Sequence, residues 1–187
     1  MLRVNEIFYS LQGEGFFTGI PAVFVRLSGC NLKCPFCDTN HSPFTEMAEE
    51  DIIREIKKYP AKHIVITGGE PALQLSENFI DLLHENDLFV QIETNGTVPL
   101  PENIDWVTCS PKSPEVVLRK INELKVLFDG EKPMLSPEIP AEVFTLQPLD
   151  TGIPEDNIKI TEAAIRYIKN HPKWRLSLQT HKMLNIR

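Results

Sequence analysis

A chain of 187 residues, 42% hydrophobic and 24% charged, has the length and composition of one ordinary globular domain, residues 1–187, able to bury its own core. Its formal net charge of -7 argues against a broad nucleic-acid surface, because phosphate contacts need a basic patch, and favours a small ligand. Met1 to Ser10 lacks a basic segment followed by an apolar one, and no stretch approaches the roughly 18 apolar residues of a membrane helix. The expectation is a cytoplasmic protein with reduced thiols, bound to neither membrane nor nucleic acid.

Val4 to Tyr9 reads as a short strand followed by the turn Ser10-Leu11-Gln12-Gly13-Glu14-Gly15. Two glycines around an acid make either a plain turn or a place where backbone approaches a ligand closely. Ala22 to Leu27 is an apolar run carrying Arg26, which is either a snorkelling edge residue or a fixed fork for a carboxylate or planar ring. Ser28-Gly29 ends that strand and launches Cys30-Asn31-Leu32-Lys33-Cys34-Pro35-Phe36-Cys37-Asp38-Thr39, with three of the four cysteines. Three thiolates on one loop can hold three irons of a cubane iron-sulfur cluster, which ordinarily takes four, leaving one iron open to another ligand. A disulfide framework would require an oxidising compartment. A zinc site would require a second ligand pair at finger-like spacing, and Cys109 and the scattered histidines do not provide one.

Ala48, Ile52, Ile53 and Ile56 have helical spacing, so residues 46 to 58 are predicted as an amphipathic helix. His63 to Thr67 is a β-branched strand opening into Gly68-Gly69-Glu70-Pro71, and Glu70, after two glycines at a strand end, reads as functional. Ser76 is the predicted N-cap of a helix carrying Phe79, Ile80, Leu82 and Leu83. Leu88 to Glu93 is a strand ending in Glu93-Thr94-Asn95-Gly96, and Ile104 to Cys109 another with Ser110-Pro111-Lys112 at its tip. Ser113 and Pro114 predict a short helix; Leu124 to Phe128 is a strand, and the prolines at 133, 137 and 140 predict irregular structure. Val143 to Leu146 is a strand ending in Gln147-Pro148-Leu149-Asp150. Thr161 is the predicted cap of a helix through about Asn170, and Trp174 to Leu178 a last strand before Gln179-Thr180-His181.

Strands alternating with helices imply an α/β fold with a parallel sheet. Polar or glycine-rich tripeptides after strand after strand suggest one functional face of a barrel, and the chain is short of the roughly 250 residues of an eight-fold one. An incomplete TIM-like βα barrel is expected. Taken alone, Glu93 and Asn95 fit a strand cap and turn, Lys112 a solvated lysine, His181 a packed histidine and Cys109 a small buried hydrophobe. His41 and His63 receive no role.

The cysteine loop resembles the C-x-x-x-C-x-x-C signature of radical S-adenosylmethionine (SAM) enzymes. Joined to Ser10 to Gly15, Cys37-Asp38-Thr39, Glu93-Thr94-Asn95-Gly96, Ser110-Pro111-Lys112 and Gln179-Thr180-His181-Lys182, it resembles the 7-carboxy-7-deazaguanine synthase family, lyases of queuosine and deazapurine biosynthesis. The resemblance implies a partial barrel of the radical SAM type, with a [4Fe-4S] cluster on Cys30, Cys34 and Cys37 and SAM chelating the open iron. It implies SAM contacts from Phe36, Cys37 and Asp38, from Gly69 and Glu70, from Glu93 and Asn95, from Ser110, Pro111 and Lys112, and from Gln147, Pro148, Leu149 and Asp150. The substrate, 6-carboxy-5,6,7,8-tetrahydropterin, would lie against Leu11, Gln12, Gly13, Arg26, Thr67, His181 and the terminal carboxylate at Arg187. Thr39 matches a magnesium ligand, and Mg2+, a hard cation preferring oxygen, would arrive with substrate.

The implied reaction is a ring contraction with loss of ammonia, giving 7-carboxy-7-deazaguanine. No side chain is assigned as catalytic, because the radical chemistry belongs to the cofactor. A reductant such as flavodoxin or ferredoxin is implied, and a homodimer is expected to cover part of the sheet. Many relatives carry glycine where Asn185 stands and end in proline, whereas this chain has Arg187, whose guanidinium is expected to compete for the carboxylate beside it or to shift it. Two other readings are a glycyl-radical activase, opposed by the Gln12 to Gly15 turn and the Gln179 to His181 tail, and a non-enzymatic zinc- or cluster-binding module.

Overall fold

The computed structural model describes residues 1–187. In chain order the strands are β1 (Leu2–Leu11), β2 (Pro21–Leu27), β3 (Thr45–Met47), β4 (His63–Gly68), β5 (Phe89–Thr94), β6 (Trp106–Cys109), β7 (Ile121–Phe128), β8 (Ala141–Pro148) and β9 (Trp174–Leu176). Helix α1 (Glu49–Ile56) precedes β4, α2 (Glu77–His84) precedes β5, α3 (Pro154–Asn170) precedes β9, and α4 (Thr180–Leu184) follows it. The sheet runs β3-β1-β2-β4-β5-β6-β7-β8-β9, with β1 antiparallel to both neighbours and every later pairing parallel. Its two ends do not pair, so the barrel is partial, and the crossovers between β5 and β8 contain no α-helix.

Alternation along the strands divides the two faces. One parity packs against the helices. Val23, Val25, Ile64, Ile66 and Val90 meet Ile52 and Ile56 of α1 and Phe79, Ile80 and Leu83 of α2, while Leu124, Val126, Phe128 and Leu146 meet Ala164 of α3. The other parity forms a small apolar cluster near β1, β2 and β4, of Phe8, Ala22, Phe24 and Val65. Further along it carries the buried polar residues Gln91, Thr108, Glu123, Lys125, Thr145 and Gln147. A polar second face on central strands leaves room for polar ligands.

The β1–β2 loop spans the open side. Gly15 N–H donates to Ser177 Oγ at 2.9 Å, and Phe16 N–H is shared by both Glu123 carboxylate oxygens at 3.1 Å. Thr180 N–H and its hydroxyl both donate to Gly13 C=O at 2.9 Å. Gly15 has φ +68°, and a Cβ there would sit 2.7 Å from Glu123 Oε1, so glycine is required both by conformation and by space. Phe16 and Phe17 then plug the end of the barrel where strands begin: Phe16 stacks on Trp106 at 4.8 Å, and Phe17 meets Trp106 at 4.8 Å and Phe89 at 5.7 Å. Ligands must therefore enter from the C-terminal strand ends, the functional end of such barrels.

Several local expectations change. Thr45–Met47 pairs with β1 instead of beginning a helix, and α1 starts at Glu49 with Glu49, Glu50 and Asp51 complementing the helix dipole. Helix α3 begins at Pro154, seven residues before Thr161, whose hydroxyl donates back to Asn157 C=O at 2.8 Å. Pro154 as first residue and Glu155 and Asp156 in the first turn are the actual start signal. No helix forms at Ser113, whereas the tail after Gln179 winds into α4. That helix is closed by Asn185 at φ 52°, the left-handed conformation that glycine or asparagine adopts most readily. The Ser76 cap forms as expected, its hydroxyl accepting Phe79 N–H at 3.2 Å.

Candidate active site

Two connected hollows open at the C-terminal strand ends, one of about 220 Å³ and one of about 770 Å³. Glu14, Asp38, Thr39, Thr67, Glu93 and Lys125 line both.

The cysteine loop forms one wall of the larger cavity. Its start is fixed by Gly29 N–H donating to His41 C=O at 3.0 Å, and by the β4 tip: Gly69 N–H donates to Leu27 C=O at 3.1 Å and Glu70 N–H to Gly29 C=O at 2.9 Å. This approach needs glycine, since a Cβ on Gly69 would lie 2.0 Å from Gly29 O. Cys30, Cys34 and Cys37 are free thiols lining the cavity, and no set of three or more His, Cys, Asp or Glu converges on a single-ion site. Burial raises the Cys34 pKa; the adjacent Lys112 ammonium lowers it, while the charges of Cys30 and Cys37 raise it further. Leu32 N–H also reaches Cys30 Sγ at 3.4 Å. Three thiols on one loop, with an N–H directed at sulfur, fit a cluster that would take each as thiolate on a different iron.

The residues assigned to SAM divide by position. Phe36, Cys37, Asp38, Gly69, Glu93, Asn95, Ser110, Lys112, Gln147, Leu149 and Asp150 line the larger cavity, whereas Glu70, Pro111 and Pro148 lie outside its lining. Glu70 is fully buried and works as a bracket, accepting from Ala72 N–H at 3.0 Å, Thr94 Oγ1 at 2.8 Å and Asn95 N–H at 2.7 Å. Burial raises its pKa against those donors. Asn95 reaches Asn31 of the cysteine loop at 3.1 Å. Lys112 donates to Ser110 Oγ at 2.5 Å, and burial, with the nearby Lys125 charge, lowers its pKa. Lys182 bridges Asp38 at 2.9 Å and Asp150 at 2.8 Å, tying α4 to the cysteine loop and the β8 tip. The Lys182 hydrogen bond, joined by Gly152 N–H and Asn157, holds the Asp150 pKa down at about 2.

All the residues assigned to substrate, namely Leu11, Gln12, Gly13, Arg26, Thr67, His181 and Arg187, line the smaller cavity. Phe8 and Phe24, paired across β1 and β2, stack at 4.9 Å with planes 5° apart and line this cavity too. Arg26 Nε donates to Glu6 at 2.9 Å, and the Arg187 guanidinium pairs with the same carboxylate and lies 4.9 Å over Phe8. An oxygen of the terminal carboxylate of Arg187 accepts from Ser10 Oγ at 2.6 Å, so the expected competition is not seen: the guanidinium pairs with Glu6 and not with the carboxylate beside it. Burial lowers the His181 pKa more than the Glu14 charge raises it, so at neutral pH the ring is uncharged and can either donate or accept.

Glu6, Phe8, Phe24 and Lys125 escaped the sequence reading, and Glu14 was read only as the acid of a glycine turn. For the first three a signal existed: strict alternation puts Glu6, Phe8 and Ser10 on one face of β1, opposite Phe24 and Arg26 of β2. Lys125 lies in the apolar run Leu124 to Phe128 and gives no local sign that its side chain turns into the site. There its ammonium donates to Glu14 Oε2 at 2.6 Å and Glu93 Oε2 at 2.9 Å. Burial and the neighbouring carboxylates push the Glu93 pKa up to about 7 despite Lys125, while Lys125 and Gln179 overcome burial at Glu14 and hold it at about 2.

This partial barrel and its three-cysteine wall define a radical SAM enzyme, and residues 24–126 match the family model described as the radical SAM superfamily. A 7-carboxy-7-deazaguanine synthase from Bacteroides thetaiotaomicron is 52% identical over 100% of both chains, and one from Burkholderia multivorans 41% identical over 98% of both. The crystal structure of QueE from Escherichia coli matches with a TM-score of 0.77 at 32% identity, covering 95% of this chain and 93% of that one. The chain belongs to the 7-carboxy-7-deazaguanine synthase family. No helix is long and apolar enough to cross a membrane.

Proposed function

We propose that the chain converts 6-carboxy-5,6,7,8-tetrahydropterin to 7-carboxy-7-deazaguanine with loss of ammonia, binding the pterin in the smaller cavity and SAM in the larger. The observation that carries this reading is the junction: a small cavity lined by stacked aromatic rings and two arginines opens onto the cysteine-lined cavity. Cys30, Cys34 and Cys37 would hold the [4Fe-4S] cluster, and with SAM it supplies the one-electron chemistry that removes a substrate hydrogen atom. The chain's own residues bind, orient and exclude water. Arg26 offers a charged fork to the pterin carboxylate, and Glu6 fixes its direction. Neutral His181, packed on Gly13, and Gln12 supply hydrogen bonds to ring heteroatoms. Thr39, at the junction beside Asp38, is the proposed Mg2+ ligand, with substrate and water completing the shell.

The reductant is proposed to be a flavodoxin or ferredoxin, and the protein to be a cytoplasmic homodimer formed from single-domain chains. The exposed Ile158 and Ile165 on α3 support such a contact. The test is anaerobic reconstitution with iron and sulfide, then dithionite, SAM, Mg2+ and the pterin, with product followed by mass spectrometry. Product lighter than substrate by ammonia, abolished by Cys34→Ala and slowed when Mg2+ is omitted, is expected. SAM cleavage without that product would overturn the substrate assignment.

A further inference from the structure

Lys125 belongs to no motif, and none of the roles above uses it. Its side chain is only 6% exposed, yet it borders both cavities. An ammonium so buried keeps its charge only where close partners offset its desolvation. Its partners are themselves fixed. Gln179 Nε2 donates to the other Glu14 oxygen at 2.9 Å, and Gln91 Nε2 donates to Glu93 Oε1 at 3.1 Å. Two carboxylates thus share one ammonium where the two ligands would meet.

The proposed reaction, on which this inference rests, needs a proton moved at that place. Expelling ammonia converts a C–H electron pair into the new double bond, and the C–N pair leaves with nitrogen. The hydrogen departs as a proton, and the leaving nitrogen takes one up. One carrier that accepts the first and returns it to the second ends unchanged and needs no further reagent. We propose that Glu93 is this proton carrier and that Lys125 is its positioning residue, clamping Glu93 against Glu14 at the junction of the two cavities.

The charges around Glu93 agree with this assignment. From β7 it faces Lys125 and Glu123, and from the β1–β2 loop Glu14. Lys112, at the β6 tip, and Cys109, whose thiol burial pushes up to about 12 and so keeps neutral, both sense its charge. His181 on α4 interacts with Glu14, and Arg26 of β2 and Asp38 of the cysteine loop border the same cavity. Lys125 stays charged and Glu14 ionised, which leaves Glu93, at about 7, as the member that exchanges a proton near neutrality.

The test uses reconstituted protein with 13C-labelled glutamate. An infrared band of a protonated buried carboxyl should disappear with a midpoint near 7 and be absent in Glu93→Gln. Lys125→Met should move that midpoint up, Glu14→Gln should move it down, and the acidic limb of the kcat profile for ammonia release should follow in both. Lys125→Arg, keeping the charge, should restore both toward wild type. Each unit of upward shift predicts about tenfold slower ammonia release on the acidic limb. With ring-deuterated substrate, ammonia release in Glu93→Gln should fall at least about tenfold relative to deuterium transfer into SAM measured in the same variant. A midpoint that ignores Lys125→Met, or a kcat limb that stays fixed while the midpoint moves, would overturn the proposal. If Lys125→Met does not fold, Glu14→Gln applies the same test in the opposite direction. No deuterium transfer in wild type would instead overturn the substrate reading on which the proposal rests.

Discussion

Replacing Gly69 by alanine tests whether the β4 tip holds the cysteine loop in place. An added Cβ would fall 2.0 Å from Gly29 O, 2.5 Å from Gly29 C and 2.9 Å from Cys30 Cβ. Two of those three atoms are backbone, so no rotamer change relieves the overlap and the two segments must part. Overpacking of this kind costs about 1–3 kcal/mol. Parting also stretches the Glu70 N–H to Gly29 C=O bond of 2.9 Å, worth about 1 kcal/mol more. A loss near 3 kcal/mol lowers Tm by roughly 6–12 °C in a domain of this size. Because Gly29 precedes the first cysteine directly, the displacement passes to the cluster ligands. The assay is thermal unfolding by circular dichroism together with iron per chain after anaerobic reconstitution. Gly152→Ala is the control, since a Cβ there meets nothing within 4 Å and only its φ of +74° resists the change. Wild-type Tm and full iron in Gly69→Ala would refute the reasoning.

Arg26→Met should raise KM for the pterin about 10- to 100-fold, the worth of a lost charge-assisted hydrogen bond, with iron content unchanged in the reconstituted protein. Glu70→Gln places an NH2 against one of the donors at 2.7–3.0 Å and should cost about 2–3 kcal/mol by urea unfolding. The Glu14 and Glu93 shifts act on stability in opposite directions. Glu14, lowered from 4.5 to about 2, contributes stability above about 4.5 that is lost as pH falls toward 2. Glu93, raised from 4.5 to about 7, contributes stability below about 4.5 that is lost as pH rises through 7. A Tm series across pH should therefore decline between about 5 and 7 in wild type and flatten there in Glu93→Gln. An unchanged decline would contradict the shift.

Much of the architecture was readable because the relevant signals are local. The strands from β4 to β8 announce themselves by β-branched and apolar runs, and the tripeptides after them mark the functional end. Part of what was missed depends on tertiary context, and part on a local signal passed over. The three residues of β3 have no periodicity of their own and exist through pairing with β1. The start of α3 lay in Pro154 and the acids after it, a signal obscured by the more conspicuous Thr161. In the site, the cysteines and glycine motifs were legible from spacing. Glu70 shows how a motif residue at a strand end can also hold the fold, its carboxylate accepting from two backbone N–H groups and the Thr94 hydroxyl. Lys125 shows the converse, since only the register of β7 between β6 and β8 brings its ammonium to Glu14 and Glu93 across the barrel.

The central claim is that a pterin in the smaller cavity meets SAM in the larger. Following deuterium from a ring-labelled 6-carboxy-5,6,7,8-tetrahydropterin during turnover of the reconstituted protein tests it most directly. The account predicts that deuterium appears in the SAM pool as 7-carboxy-7-deazaguanine accumulates, and that Arg26→Met suppresses both together. Reductive cleavage of SAM with no substrate-derived deuterium, at saturating pterin and full iron loading, would contradict it.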